Sequence, residues 1–278
     1  MYFMNVEDVP TDRFVSPYIY SGYRVGLTPR KSFMSAFTIH NETINIWSHS
    51  IPLIFGMLII SQNWNMLYSS PTVDAASTIL SATGTCVLCP LASMWTHTFW
   101  LAEHPFMRYA WAVDFIGVSF AVIAGCTGVT WIILADLPHI RCIILLSFLL
   151  LAYRLVYTAV TEHIRHVNRR PLLPRDSFPE FKFPTVILVV LRWIFPLTLG
   201  MWLPLNTELR EAIKIAWFCP LLMALGMTVL VLQYPERYYT PGRFDIVGNS
   251  HQIWHMFTGV CMIIWCETLF RMHEARVR

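Results

Sequence analysis

Seven stretches of mostly apolar residues divide this 278-residue chain, at roughly 44–62, 75–101, 109–133, 139–160, 184–203, 212–233 and 250–270. Each is long enough to matter: a helix rising about 1.5 Å per residue needs about 20 residues to cross a hydrocarbon core of about 30 Å. Lipid offers backbone N–H and C=O groups no partner, so such a stretch folds as helix. The expected fold is an all-α integral membrane protein, a seven-transmembrane-helix bundle over 44–270. A cytosolic N-terminal segment, 1–43, precedes it and a short C-terminal tail, 271–278, too polar to span, follows. Composition agrees, with 55% hydrophobic and 13% charged residues where soluble domains carry about 25% charged. The net charge of +3 is mild and its cations scattered, so no nucleic acid is expected as partner. Seven cysteines without framework spacing imply no disulfide scaffold. The opening MYFMNVEDVPTDRF has three acids and no apolar run, so no cleavable signal peptide is expected.

Orientation follows from the cations on alternate sides. Twelve Lys and Arg fall on the side of the N-terminal segment, among them Arg13, Arg24, Arg30, Lys31, Arg108, Arg165, Arg169, Arg170, Arg175 and Lys182. Six fall on the other side, and Arg154 and Arg192 lie mid-span with partners the sequence does not name. The N-terminus is therefore expected in the cytosol. Gly and Pro are scattered and the halves show no repeat, which disfavours a transporter built from paired repeats. Trp47, Tyr109, Trp111 and Tyr234, near span ends, read as interface anchors.

Ionisable groups inside a span cost about 2.5–3.5 kcal/mol each on insertion scales, so their placement carries information. Glu42, Asn45 and His49 at the start of the first span are spaced i, i+3, i+7, and Ser93 and His97 near the end of the second are spaced i, i+4. Each set shares one helical face. Asp114 enters the third span, and His251 and His255 open the seventh at i, i+4. With the N-terminus inside, these four segments bring their polar groups to one depth on the cytosolic side.

Two imidazoles at i, i+4 can bind one tetrahedral ion, and Zn2+ takes His nitrogen well. A lone pair of this kind is more often an ordinary surface or core feature, but the cost of burying it in lipid favours the metal reading. His97 supplies a third nitrogen. Three His with one position open is the pattern of a catalytic zinc, since structural sites normally close with a fourth protein ligand. Asp114 then either deprotonates a zinc-bound water or orients a ligand His through its ring N–H. Ser93 bonds a reacting oxygen or its own backbone carbonyl four residues back. Cys86-x-x-Cys89 lies inside an apolar stretch just before Pro90, where Cys acts as a small hydrophobe. His40, His104, His139, His163, His166 and His273 sit in connections or at span ends and are expected to be solvated.

These motifs resemble the progestin and adipoQ receptor family. Its Glu-x-x-Asn-x-x-x-His signature is met within HNETINIWSH by Glu42, Asn45 and His49, and its Ser-x-x-x-His within PLASMWTHTF by Ser93 and His97. Asp114 in VDFIG and the pair in SHQIWH complete the set, and Pro235-Glu236-Arg237 and PGRFD at 241–245 match as well. The resemblance runs from Tyr20-Ser-Gly-Tyr-Arg24 to the last span and is greatest to the membrane progestin receptor branch, in PLASMWTHTF, PGRFDIVGNSHQ and Glu267. It implies seven helices with a cytosolic N-terminus and a zinc ion on His97, His251 and His255. Asp114 would contact the zinc-bound water, with Ser93 close by.

Two functions follow as expectations. One is a signalling receptor for a steroid or other hormone, in the plasma membrane or alternatively an endomembrane, whose ligand biases the helix bundle. The other is a zinc-dependent hydrolase of ceramide-type lipid amides, which the resemblance implies through a wider group of membrane hydrolases that includes alkaline ceramidases. There Asp114 would act as base, assisted by His49 or Ser93. The two can coexist, while a purely structural zinc is disfavoured by the missing fourth ligand.

Overall fold

The computed structural model describes residues 4–9, 15–66, 72–103, 110–168 and 183–278, with side chains at 158–159, 162–168 and 183–192 left aside. Arg13, His104, Arg108, Tyr109, Arg169, Arg170, Arg175 and Lys182 lie outside the described residues, as do the side chains of His163, Arg165, His166 and Arg192.

A short helix α1 (Pro29–Ser35) precedes the long ones. Thr28 caps it by accepting from the Lys31 N–H, and Pro29 pre-sets its first turn. The long helices are α2 (Thr43–Gln62), α3 (Val73–Phe99), α4 (Ala110–Ile133), α5 (Pro138–Asn168), α6 (Phe183–Trp202), α7 (Thr207–Leu232) and α8 (Ser250–Val277). Among the described residues six are long and apolar enough to cross a membrane: α2, α3, α4, α5 through Tyr157, α7 and α8. The remaining expected span, 184–203, coincides with α6, whose Trp193–Trp202 part is a shorter apolar helix. Among the described residues there are no strands, only two isolated bridges, Met4 to Tyr23 and Leu27 to Ala102.

Prolines explain the irregular turns. Pro52 cannot donate to the Ser48 carbonyl four residues back, and α2 loosens at His49. Pro90 likewise leaves the Cys86 carbonyl without a helical donor. The preceding turn of α3 widens to a π-helix over Gly84–Leu88, where the Cys89 N–H reaches the Gly84 carbonyl. Thr72, Asn206 and Asn249 cap α3, α7 and α8 with their side-chain oxygens, as Thr and Asn before an apolar run should.

Helix α8 runs through the middle, against α2, α3, α4 and α7, while α6 packs on α4 and α7 and α5 on α4. Its Trp265, Leu269 and Met272 enter one core with Val129 and Ile133 of α4, Leu197 of α6 and Ile213 of α7. Close approach to α4 depends on Gly125, where a Cβ would stand 2.8 Å from Trp265 Nε1. Lipid-facing surface is apolar in turn, as at Ile51, Ile54, Phe55 and Leu58 on α2. Arg154 of α5 is exposed.

Three boundaries differ from the sequence reading by five residues or more. Helix α5 runs to Asn168 rather than 160, α7 starts at Thr207 rather than 212, and α8 runs on through the expected tail to Val277. Met272, His273 and Ala275 are buried there, and Asn206 Nδ2 donates to the Ala275 carbonyl at 2.7 Å.

The N-terminal segment folds back over the end of the bundle where α2, α4 and α8 begin and α3 finishes. The Tyr20 N–H, Ser21 N–H and Ser21 hydroxyl all donate to the Asp245 carboxylate, at 3.0, 2.8 and 2.6 Å. Gly22, at φ 85°, lets the Asn41 N–H reach its carbonyl at 3.2 Å.

Candidate metal centre

Helix direction decides which polar groups meet. Asn45 and His49 lie in the first turns of α2, Asp114 in the second turn of α4 and His251 and His255 in the first turns of α8, while His97 lies in the last turn of α3. All are at one end of the bundle, as the alternation of span directions requires.

There His97, His251 and His255 offer ligand atoms that lie within 4.8 Å of one another. The Nε2 atoms of His251 and His255 are 3.1 Å apart, and those of His251 and His97 are 3.4 Å apart. Their other nitrogens indicate which of these carry protons. His97 Nδ1 is 2.7 Å from Glu42 Oε2, an acceptor only, so it is the protonated nitrogen. His255 Nδ1 lies 3.2 Å from the Asn45 carbonyl, also an acceptor only, and 3.1 Å from Ser48 Oγ. In neutral rings both Nε2 atoms are then bare lone pairs, turned toward the same small volume.

Both spacings involve His251 Nε2, which as an N–H donates to one of the bare atoms and as a third lone pair requires a cation between the rings. A tetrahedral ion with metal–nitrogen bonds of about 2.0–2.1 Å separates its nitrogens by about 3.3 Å, close to the two spacings found. Charge favours a cation as well: Glu42 and Asp114 are buried beside the three imidazoles, with Arg24 the buried cation near them, and carboxylates in a medium of low dielectric require positive partners. The donor set therefore fits Zn2+.

Surrounding groups fix the ligands. Asn45 Nδ2 donates to Glu42 Oε2 at 2.7 Å, holding the carboxylate against His97. Arg24, buried, donates through Nη2 to the His97 carbonyl at 2.6 Å and through Nη1 to Ser35 Oγ at 2.7 Å. Burial pushes the Arg24 guanidinium down to about 10, against the opposing pull of the Glu42 charge. His49 stacks on His255 with ring centroids 4.1 Å apart. Ser93 lies within hydrogen-bonding reach of the Asp114 carboxyl. Asp114 Oδ1 and His49 Nδ1 are buried with no partner among the described residues.

The eight residues singled out in the sequence, Glu42, Asn45, His49, Ser93, His97, Asp114, His251 and His255, thus come to one end of the bundle. Unforeseen in the sequence are the contact of Glu42 with a ligand imidazole, Ser48 as a second such partner, Arg24 on the His97 backbone, and Trp111. That indole, expected as an interface anchor, is buried instead, with its ring 5.5 Å from His97 and 5.7 Å from Trp100. Two histidines expected in solvent are also buried. His40 accepts from the Glu42 N–H at 3.0 Å and lies 3.0 Å from the Ser35 carbonyl, and His273 lies 3.3 Å from Thr78 Oγ1 at the opposite end of the bundle. Trp47, Tyr234 and His139 are exposed as expected.

Comparison with known proteins places this architecture. The family model described as haemolysin-III related matches residues 37–266. The chain is 27% identical to mouse progestin and adipoQ receptor family member 3, over 97% of this chain and 86% of that protein. It is 26% identical to zebrafish (Danio rerio) membrane progestin receptor gamma-B, over 94% and 78%. It is also 27% identical to an uncharacterized Schizosaccharomyces pombe protein, covering 91% of this chain and only 56% of that longer one. With the family model spanning most of the chain and relatives of this kind matching it nearly end to end, the protein belongs to the haemolysin-III related family of membrane proteins, among whose members are the progestin and adipoQ receptors.

Proposed function

We propose that this protein is a seven-helix membrane receptor with a cytosolic N-terminus, holding one Zn2+ between His97, His251 and His255 and responding to a steroid or related apolar hormone. The observation that carries the metal part is the convergence of imidazole nitrogens whose far sides are engaged by Glu42 and the Asn45 carbonyl. Support for the hormone comes from the relatives named as progestin receptors. The test is metal content and binding of radiolabelled progesterone on purified protein, with and without chelator. One zinc per chain, and hormone binding that falls with its removal, are expected. A His97→Ala, His251→Ala, His255→Ala triple variant that keeps full zinc would overturn the ligand assignment.

A second reading, hydrolysis of a ceramide-type lipid amide, is favoured by one observation. Asp114, within hydrogen-bonding reach of Ser93, keeps Oδ1 buried beside the imidazoles with no partner among the described residues. Bound zinc would supply Lewis acidity toward a carbonyl oxygen and toward water. Asp114 Oδ1 would take the proton, Ser93 would hold the other carboxylate oxygen in place, and His49 Nδ1 would be free to bond a reacting oxygen.

A further inference from the structure

Helix α1 has two unlike faces. Ser32 and Ser35 are buried toward the bundle, where Ser35 Oγ accepts from the Arg24 group that also grips the His97 carbonyl. On the other side Phe33 and Met34 are exposed, and Phe37 and Ile39 in the turn that follows are 64% and 73% exposed. These side chains form one patch: Phe33 meets Phe37 edge-on at 6.1 Å between centroids, and Phe37 meets Trp47 at 5.5 Å. The Trp47 indole N–H donates to the Ala36 carbonyl at 2.7 Å, fixing the patch to the start of α2.

The patch does not stop at Trp47. Exposed apolar surface continues along α2 through Ile51, Ile54, Phe55 and Leu58, the face that lipid covers. Arg30 and Lys31 are exposed on the first turn of α1, next to Phe33. Aromatic residues with Lys and Arg close by, carried on a short helix at a membrane boundary, have the composition of an interfacial segment.

We propose that α1 and its following turn form a docking surface for the anionic headgroup layer of the surrounding bilayer: Phe33, Met34, Phe37 and Ile39 enter the boundary of the acyl region, and Arg30 and Lys31 pair with lipid phosphates. Continuity with the lipid-facing stripe of α2 selects the bilayer over a second protein as occupant. The contact has a route inward, because Arg24 joins α1 at Ser35 to the His97 backbone. It rests on the membrane-spanning fold and is independent of the metal and the hormone.

The test uses the full chain in nanodiscs. Cys142 is the exposed cysteine among seven free ones, so a nitroxide is placed by Ile39→Cys in a Cys142→Ser background. In discs containing phosphatidylserine the label should collide with oxygen more than with a water-soluble nickel reagent, and should move toward water in pure phosphatidylcholine. Arg30→Glu with Lys31→Glu, on exposed positions that leave the core untouched, should shift the label in the same direction and weaken competition by phosphatidylserine at least about 5-fold, since each cation near an anionic surface is worth about that factor. A label open to the nickel reagent in every bilayer would overturn the docking. One equally deep with and without anionic lipid, or unmoved by the charge reversal, would overturn the headgroup assignment. A label shielded from both reagents would show a protein-covered surface and overturn it as well.

Discussion

Glu42 Oε2 stands 2.7 Å from His97 Nδ1 and, on the same oxygen, 2.7 Å from Asn45 Nδ2. A carboxylate in this position keeps His97 in the tautomer that leaves Nε2 bare and raises its basicity. Glu42→Gln removes the charge and retains the shape. Zinc affinity, measured by competition with a chromophoric chelator, should fall about 10–100-fold, and the melting temperature should fall with it at limiting zinc, because a ligand bound only to the native state stabilises by mass action. Unchanged affinity would mean that the contact is a packing feature without influence on the ligand.

His40 gives the fold a pH limit. Burial holds its imidazole down to about 3, with the nearby Arg24 cation acting in the same direction, against about 6.5 in an unfolded chain. A depressed folded value means that the unfolded state binds the proton more readily, so stability is complete above pH 6.5 and is lost progressively as pH falls toward 3. At pH 5 the loss is about 2 kcal/mol, from about 1.5 units at about 1.4 kcal/mol each. His40→Gln should therefore show a shallower decline in melting temperature between pH 7 and pH 5 than wild type. Parallel declines would place the titration elsewhere.

What could be read in the sequence was what period and parity encode. Asn45 with His49, Ser93 with His97 and His251 with His255 announce themselves because each set repeats at helical spacing inside an apolar run, and alternating span direction then collects them at one end. Arg24 carries no such signal: its partners are backbone carbonyls of His97 and Thr98, more than 70 positions away in the chain. The burial of His40 and Trp111 is made by the way neighbouring segments turn back, His40 onto Ser35 at the end of α1 and Trp111 onto His97 and Trp100 at the end of α3, which residue spacing within one helix does not encode. The end of α8 misleads for another reason. Arg271 pairs with Glu267 and Arg278 with Glu274 one turn apart on its exposed side, so a stretch that looks too polar to continue does so, burying Met272 and Ala275.

Sidedness needs a reporter other than the native sequon. Asn41-Glu42-Thr43 matches an acceptor site, but Asn41 is buried, and Thr43 Oγ1 donates to the Thr38 carbonyl and accepts from the His40 N–H. A bare Asn41 is thus expected in either orientation. Asp136, in the connection between α4 and α5 at the end remote from His97, is exposed and paired with Arg276, a surface contact worth little to stability. With a cytosolic N-terminus, Asp136→Cys in a Cys142→Ser background should react with a membrane-impermeant maleimide on intact cells. Reaction only after permeabilisation, scored in the isolated surface-biotinylated fraction of the protein, would reverse the orientation and put the metal centre on the outer face.

Asp114 separates the two functions. Its Oδ1 is buried with no partner among the described residues while Ser93 lies within hydrogen-bonding reach of the carboxyl, and it lies beside the imidazoles without being one of the three converging ligands. Asp114→Asn keeps volume and the Ser93 contact and removes the base. If Asp114 accepts a proton during hydrolysis, zinc content should stay near one per chain while turnover of ceramide-type substrates falls about 10²–10⁴-fold. If it orients a ligand, zinc affinity should drop about 10–100-fold instead, with turnover following metal loss and returning when zinc is added. A receptor whose centre performs no hydrolysis gives a third pattern: no turnover by zinc-loaded wild type, and progesterone binding that the substitution leaves unchanged. Zinc, turnover and hormone binding measured on the same Asp114→Asn preparation distinguish these outcomes, and absence of hydrolysis by zinc-loaded wild type across ceramide-type substrates eliminates the hydrolase reading.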